Sequence, residues 1–301
     1  MLAQHLTPVI MESKREHNWM KARLDQGSLV FDQENGLQCA LEDGFFFVEY
    51  PGNLDFSPGD RFARSFYLPD NPDKTDPYRG FSLATLEYVG KYDGYHRCDG
   101  SQTEQFFLES RSWNTVFPLE LSRQAVAMQE FALDILRAVL VHLDLPQELW
   151  DEATGGCLSA RGTYHLSFNH YRPEVPAPGF NTHKDTSWMS VLRSPEPGLE
   201  VQLGNIWYPI EPIPRTLMVI FGCAMEILTK PSRTPVTAST HRVVEQTQTN
   251  GKPDRFSYGL FVDSSLDETI CPGLYCYEPG KGLVLVGKVE DAINQFIENV
   301  L

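Results

Sequence analysis

Two imidazoles, a carboxylate and an arginine–serine pair are the residues of this chain whose types and spacing could do chemistry together. His183 and Asp185 stand two apart in Thr182-His-Lys-Asp-Thr186. In an extended segment residues i and i+2 project to the same side, so both can reach one ion. A third ligand is available in His241, within Thr240-His-Arg-Val-Val244, 58 residues after His183. Two histidines and one carboxylate on one face of a metal leave the other face open, as iron(II) requires to take up a co-substrate and dioxygen together. The triplet alone is weak, because His142-Leu143-Asp144 has the same spelling. That copy falls at the end of a predicted helix, where i and i+2 diverge. Arg255-Phe-Ser257 is the only Arg-X-Ser in the sequence. On a strand the two side chains share a face, and a guanidinium fork beside a hydroxyl suits a carboxylate.

The elements that must position these residues are mostly strands. After residue 160, short β-prone segments are separated by turn signals: Thr163–Tyr171, Ser187–Leu192, Leu199–Gln202, Thr216–Gly222, His241–Gln246 and Arg255–Val262. That pattern predicts a sandwich or jelly-roll barrel and argues against a parallel α/β sheet. Asn250-Gly251 predicts a hairpin between the last two. Upstream, Phe131, Ile135, Val139 and Leu143 repeat every four residues, with Ser122 as N-cap and Pro146 beyond the end. They predict a long helix packed on a larger element. Met11–Asp25 has helical composition, Gly44 opens an aromatic β run to Tyr50, residues 51–118 read as loop-rich, and Val289–Leu301 reads as a short amphipathic helix. The expectation is a single domain over 1–301: a mixed α/β region to 118, a supporting helix in 119–150, a β core in 160–265 and a C-terminal helix or lid in 266–301.

Composition removes whole classes of function. With 301 residues, 42% of them hydrophobic, the chain can bury a large core. Its net charge of −15 repels polyanions, so nucleic acid and anionic membrane are poor partners. No apolar run reaches the length of a signal sequence or a membrane span, and a cytoplasmic location is the expectation. Six cysteines without CxxC spacing read as free thiols, which argues against a zinc knuckle or redox pair.

Taken together, these residues resemble the isopenicillin N synthase-like branch of the iron(II)/2-oxoglutarate-dependent dioxygenases. The resemblance is ordered along the chain: Leu41-Glu-Asp-Gly-Phe-Phe-Phe-Val48, Asn169-His-Tyr-Arg-Pro173, His183-Lys-Asp185, Gly198-Leu-Glu-Val-Gln202, Trp207-Tyr-Pro-Ile210, Thr216 to Gly222, His241-Arg-Val-Val244 and Arg255-Phe-Ser257. It implies a mainly β fold with flanking helices around a double-stranded β-helix of the jelly-roll, cupin-like kind. It further implies that His183, Asp185 and His241 bind iron(II), that Arg255 and Ser257 hold the distal carboxylate of 2-oxoglutarate, and that Asn169 and Tyr171 help seat it. The implied reaction uses dioxygen to oxidise a C–H bond, by hydroxylation, desaturation or dealkylation, with release of succinate and CO2. The retained Asp185 argues against halogenation, since halogenases of this superfamily carry a small residue there. Cys223 where the family usually has Asp, Thr229-Lys-Pro-Ser232 in place of an Asn-Gly turn, and a longer stretch between His241 and Arg255 set the chain apart from the plant hormone and flavonoid enzymes.

Substrate residues are harder to read. Trp188 and the stretch Phe106–Trp113 are candidates for a pocket wall, with Arg111 as a possible partner for an acidic substrate. The expected substrate is a soluble small molecule such as an amino acid or secondary metabolite, handled by a monomer or homodimer. The alternatives are an iron oxidase of the same fold that needs no 2-oxoglutarate, and a non-catalytic β-barrel module with a structural metal. An open coordination face disfavours the latter.

Overall fold

The computed structural model describes residues 19–73, 75–82, 93–248, 251–289 and 291. Its strands, in chain order, are β1 (Lys21–Asp25), β2 (Ser28–Phe31), β3 (Phe45–Glu49), β4 (Gly94–Arg97), β5 (Thr103–Glu109), β6 (Thr163–Tyr171), β7 (Phe180–His183), β8 (Met189–Arg193), β9 (Leu199–Leu203), β10 (Ile206–Ile210), β11 (Thr216–Phe221), β12 (Thr240–Val243), β13 (Phe256–Asp263), β14 (Leu274–Glu278) and β15 (Gly282–Gly287). They form a large sheet in the order β2-β1-β3-β11-β8-β13-β6-β5-β4, a small sheet β10-β9-β12-β7, and the hairpin β14-β15. Strands β6 to β13 cross back and forth between the two larger sheets, with β9 and β10 a hairpin in the small one, and enclose a jelly roll, as the short-strand pattern predicts.

Period-two alternation sorts the large sheet into two faces. Phe46 and Val48 of β3, Leu166 and Phe168 of β6, Val219 and Phe221 of β11, and Tyr258 and Leu260 of β13 pack into one core with the helix Leu119–Leu140. Their neighbours Phe45, Phe47, Met218 and Ile220 point the other way, into a smaller core with Phe180, Leu199, Val201 and Val243 of the small sheet. The helix therefore braces the outside of the barrel, while the inside is free to hold a site. Phe131, Ile135 and Val139 are buried along the helix, and Leu143 is buried just past its end.

Several expectations are corrected. The helix begins at Leu119 behind Pro118, and Ser122 lies inside it, its hydroxyl donating to Asn114 Oδ1. Lys21–Asp25 is a strand, because its backbone pairs with both β2 and β3; the rest of the Met11–Asp25 helix expectation falls largely outside the described residues. The loop-rich reading of 51–118 misses β4, β5 and the helix Ser57–Ala63. β12 and β13 are not a hairpin: β12 pairs β7 and β9 in the small sheet, whereas β13 pairs β6 and β8 in the large one. The chain between them crosses from sheet to sheet. In 266–301 the described residues carry the hairpin β14-β15, and most of the expected helix Val289–Leu301 lies outside them.

Candidate functional site

Strand pairing brings the two histidines together. β12 runs antiparallel to β7 with His241 opposite His183, and their rings sit with centroids 4.3 Å apart. Asp185 follows two residues after the end of β7. Its segment is held across the start of the helix Cys223–Thr229, where Cys223 N–H donates to the Asp185 carbonyl at 2.7 Å. Gly222 makes that crossing possible, since a Cβ there would lie 2.1 Å from Ser187 O. Lys184 turns outward to Glu226 on the same helix, and Glu226 also accepts from Ala238 N–H, so one carboxylate ties both ligand-bearing segments together.

His183, Asp185 and His241 each offer one ligand atom, and the three atoms lie within 4.8 Å of one another. Asp185 Oδ1 is 3.6 Å from His183 Nε2 and 3.7 Å from His241 Nε2. Each imidazole is oriented by its other nitrogen: His183 Nδ1 is 2.8 Å from Asn181 O, and His241 Nδ1 is 3.1 Å from Ser239 O. With Nδ1–H donating to a carbonyl, each Nε2 keeps a lone pair turned to the common point. Burial, and then the neighbouring His183, push His241 down to about 4, so it stays a neutral donor. Burial opposes ionisation of Asp185, but the two imidazoles and the Ser190 hydroxyl outweigh it and hold the carboxyl below its ordinary range. The donor set fits a divalent transition metal with an open face. Its decoy does not: His142 and Asp144 lie in the turn after the long helix, where Asp144 accepts from Arg233 N–H.

Ser190 of β8 donates to Asp185 Oδ2 at 2.7 Å, which leaves Oδ1 as the free oxygen. No motif in the sequence marks this residue. Ser190→Ala should weaken iron(II) binding by about 10- to 100-fold, as loss of a partner that orients a ligand generally does. An anaerobic metal titration measures it, and unchanged affinity would show that the hydroxyl is dispensable.

The same cavity is lined by Asn169, Tyr171, Arg255 and Ser257. Arg255 exposes only 6% of its surface and is held on three sides. Its Nε donates to Pro197 O at 2.9 Å, its Nη2 to Ser194 Oγ at 2.7 Å, and its guanidinium carbon stands 4.5 Å over the Tyr171 ring. Its Nη1 is buried with no hydrogen-bond partner among the described residues. A buried guanidinium nitrogen left without an acceptor costs free energy unless a ligand supplies one. Tyr171 Oη and Ser257 Oγ are 3.1 Å apart beside it, and Asn169 Oδ1 accepts from Gln105 Nε2 at 2.8 Å. The site therefore has a metal-competent triad and an unsatisfied cation in one enclosure, the complement of an anionic chelator.

A sequence model described as the 2OG-Fe(II) oxygenase superfamily matches residues 163–264, the span of β6 to β13. Over that span the chain is similar to the 2OG-Fe(II) oxygenase superfamily. The chain is 26% identical over 246 residues to Protein DMR6-LIKE OXYGENASE 1 of Arabidopsis thaliana, covering 76% of the chain and 67% of that relative. It is 30% identical over 183 residues to the bi-functional coumaroyl CoA and feruloyl CoA ortho-hydroxylase Diox4 of Ruta graveolens, covering 56% of the chain and 46% of that protein. The chain thus spans two thirds or less of the length of these relatives. Its fold is also that of the rice dioxygenase for auxin oxidation, with a TM-score of 0.62 at 18% identity, covering 92% of this chain and 94% of that one.

Two sequence candidates for the pocket wall lie elsewhere in the fold. Trp188 is fully buried on the outer face of the barrel, in the core shared with the long helix, and its indole N–H donates to Ser264 Oγ at 3.0 Å. Arg111 is 70% exposed and paired with Glu109. Within Phe106–Trp113, Phe106 and Trp113 are core, and Phe107 alone lines the cavity. Besides Ser190, the residues that sequence reasoning misses are Gln105, Ser194 and Phe261; strand alternation would have placed Phe261 inward, four residues beyond Ser257.

Proposed function

We propose that this chain is an iron(II)- and 2-oxoglutarate-dependent oxygenase that oxidises a C–H bond of a soluble small molecule, with release of succinate and CO2. The observation that carries the reading is the coincidence, in one cavity, of a histidine–aspartate–histidine face and the buried, unpartnered Nη1 of Arg255. His183 and His241 would hold the metal through Nε2 and Asp185 through Oδ1. Arg255 would take the distal carboxylate of 2-oxoglutarate by a charge-assisted hydrogen bond, with Ser257 and Tyr171 as hydroxyl partners and Asn169 along the same wall. When bound, iron(II) with 2-oxoglutarate and dioxygen supplies the oxidant that breaks the substrate C–H bond. The protein contributes orientation: the guanidinium is fixed by Pro197 and Ser194 before the ligand arrives, so little is lost in ordering it. The apolar walls Phe180, Leu192, Leu199, Ile220 and Val243 exclude water around the charged groups and strengthen each contact.

The test is succinate release by the iron-loaded protein, with and without added 2-oxoglutarate and with and without dioxygen. Release that needs both supports the proposal. Oxidation of a substrate that proceeds without 2-oxoglutarate would favour the oxidase alternative, in which Arg255 and Ser257 serve a substrate carboxylate.

A further inference from the structure

Antiparallel register arranges the inner face of the large sheet into rows that run from one end of the cavity to the other. Next to Arg255 stands Tyr171; the following rows are Ser257 with Asn169 and Gln105, then Gly259 with Ser167, Phe107 and Leu192, then Phe261 with His165, Glu109 and Ser190. Ser190 holds Asp185, so that row lies at the level of the metal ligands. One row further on, Asp263 faces Thr163. Successive rows are about 6 to 7 Å apart, two residues of strand. With the Arg255 end assigned to 2-oxoglutarate, the inward positions of β13 left for a substrate are Phe261, which lines the cavity, and Asp263 one row beyond it.

That end has a distinct chemistry. Asp263 follows Phe261 on the inward side of β13, and its side chain has no hydrogen bond or ion pair among the described residues. Burial, and then the charge of Asp185, push its carboxyl up to about 7. Glu109 is already engaged by Ser110 and Arg111, and the half-buried His165 is kept neutral by its burial. Phe107 and Phe261 flank the approach with two half-buried rings. A substrate carboxylate would meet Asp263 and Asp185 with no free cation nearby among the described residues, since Arg111 is turned to Glu109 and solvent. A protonated amine would meet an unpartnered carboxyl, which its charge would help to ionise, and two aromatic faces that attract a cation.

Resting on the reading above, we propose that Asp263 is the specificity-determining residue of this site and that the substrate carries a basic nitrogen, held by the Asp263 carboxylate beside the rings of Phe107 and Phe261. Only Asp263 is asked to make the ion pair, and the rings supply the rest of the shell.

Isothermal titration under anaerobic conditions tests this with three probes of one shape, benzylamine, benzyl alcohol and benzoate, on iron-loaded protein with and without 2-oxoglutarate. Benzylamine should bind at least about ten-fold more tightly than benzyl alcohol, the scale of one hydrogen-bonded charge, and benzoate most weakly. Asp263→Asn, nearly the same in shape, should erase the preference for the amine while 2-oxoglutarate still binds. Equal binding of amine and alcohol, preference for benzoate, no amine binding, or a preference that survives Asp263→Asn would each overturn the proposal. Because the amine preference is read both with and without 2-oxoglutarate, its failure is distinguishable from failure of 2-oxoglutarate to bind, which would count against the co-substrate reading alone.

Discussion

Asp185→Ala and His183→Ala each lose iron(II) binding by well over about 100-fold, more than the loss expected from a partner that only orients a ligand, and with it all measurable turnover. The physical reason is that no neighbouring donor can substitute. Asp185 exposes 2% of its surface, and the other Asp185 oxygen is committed to Ser190. Deleting the carboxylate also leaves two neutral imidazoles with nothing to offset the charge of a divalent ion in a buried cavity. His142→Ala is the control, because that exposed histidine belongs to the same three-residue spelling but stands in a turn. Equilibrium dialysis of the anaerobic protein against iron(II) reads all three variants. Normal iron binding by Asp185→Ala would end the ligand assignment.

Arg255→Ala raises the 2-oxoglutarate concentration needed for half-maximal turnover by about 30- to 1000-fold, the scale of 2 to 4 kcal/mol for a charge-assisted contact in a buried site. Iron binding stays close to the parent value, because no atom of Arg255 hydrogen-bonds the triad. Arg255→Lys does not restore affinity. A lysine ammonium cannot donate to Pro197 O and Ser194 Oγ from a rigid fork and still present a third donor to the ligand. Titration of 2-oxoglutarate against succinate release, alongside iron dialysis, separates the two effects. Equal loss of both would make Arg255 a structural residue.

The metal face is legible in sequence because its logic is local at both ends. His183 closes a strand and Asp185 follows two residues later, so extended geometry alone predicts their common direction. What the residues alone leave open is that His241 stands opposite His183, since that depends on β12 pairing β7 across a sheet whose members are far apart in the chain. The same distance dependence explains the misplaced hairpin. Asn250-Gly251 has the right chemistry for a turn, yet β12 and β13 belong to different sheets, and a dipeptide carries no information on which strands its flanks will join.

The wall residues show a second limit. Trp188 lies close to Asp185 in sequence, but it packs outward, one position before β8 starts its alternation. Ser190, two residues on, points inward and bonds the ligand. Composition favours the tryptophan as a recognition residue, and period two would turn it to the same side as Ser190; it packs outward because it lies ahead of the strand. Ser194 and the carbonyl of Pro197 are invisible for a further reason: they act through a loop conformation that only the surrounding contacts define.

The most direct measurement is a crystal structure of the protein grown anaerobically with iron(II) and 2-oxoglutarate, with anomalous scattering recorded at the iron edge. A single anomalous peak bounded by His183 Nε2, Asp185 Oδ1 and His241 Nε2, with the distal carboxylate of 2-oxoglutarate on Arg255 Nη1, is the result expected. Iron bound elsewhere, or a co-substrate that leaves Arg255 Nη1 without an acceptor, would contradict the account.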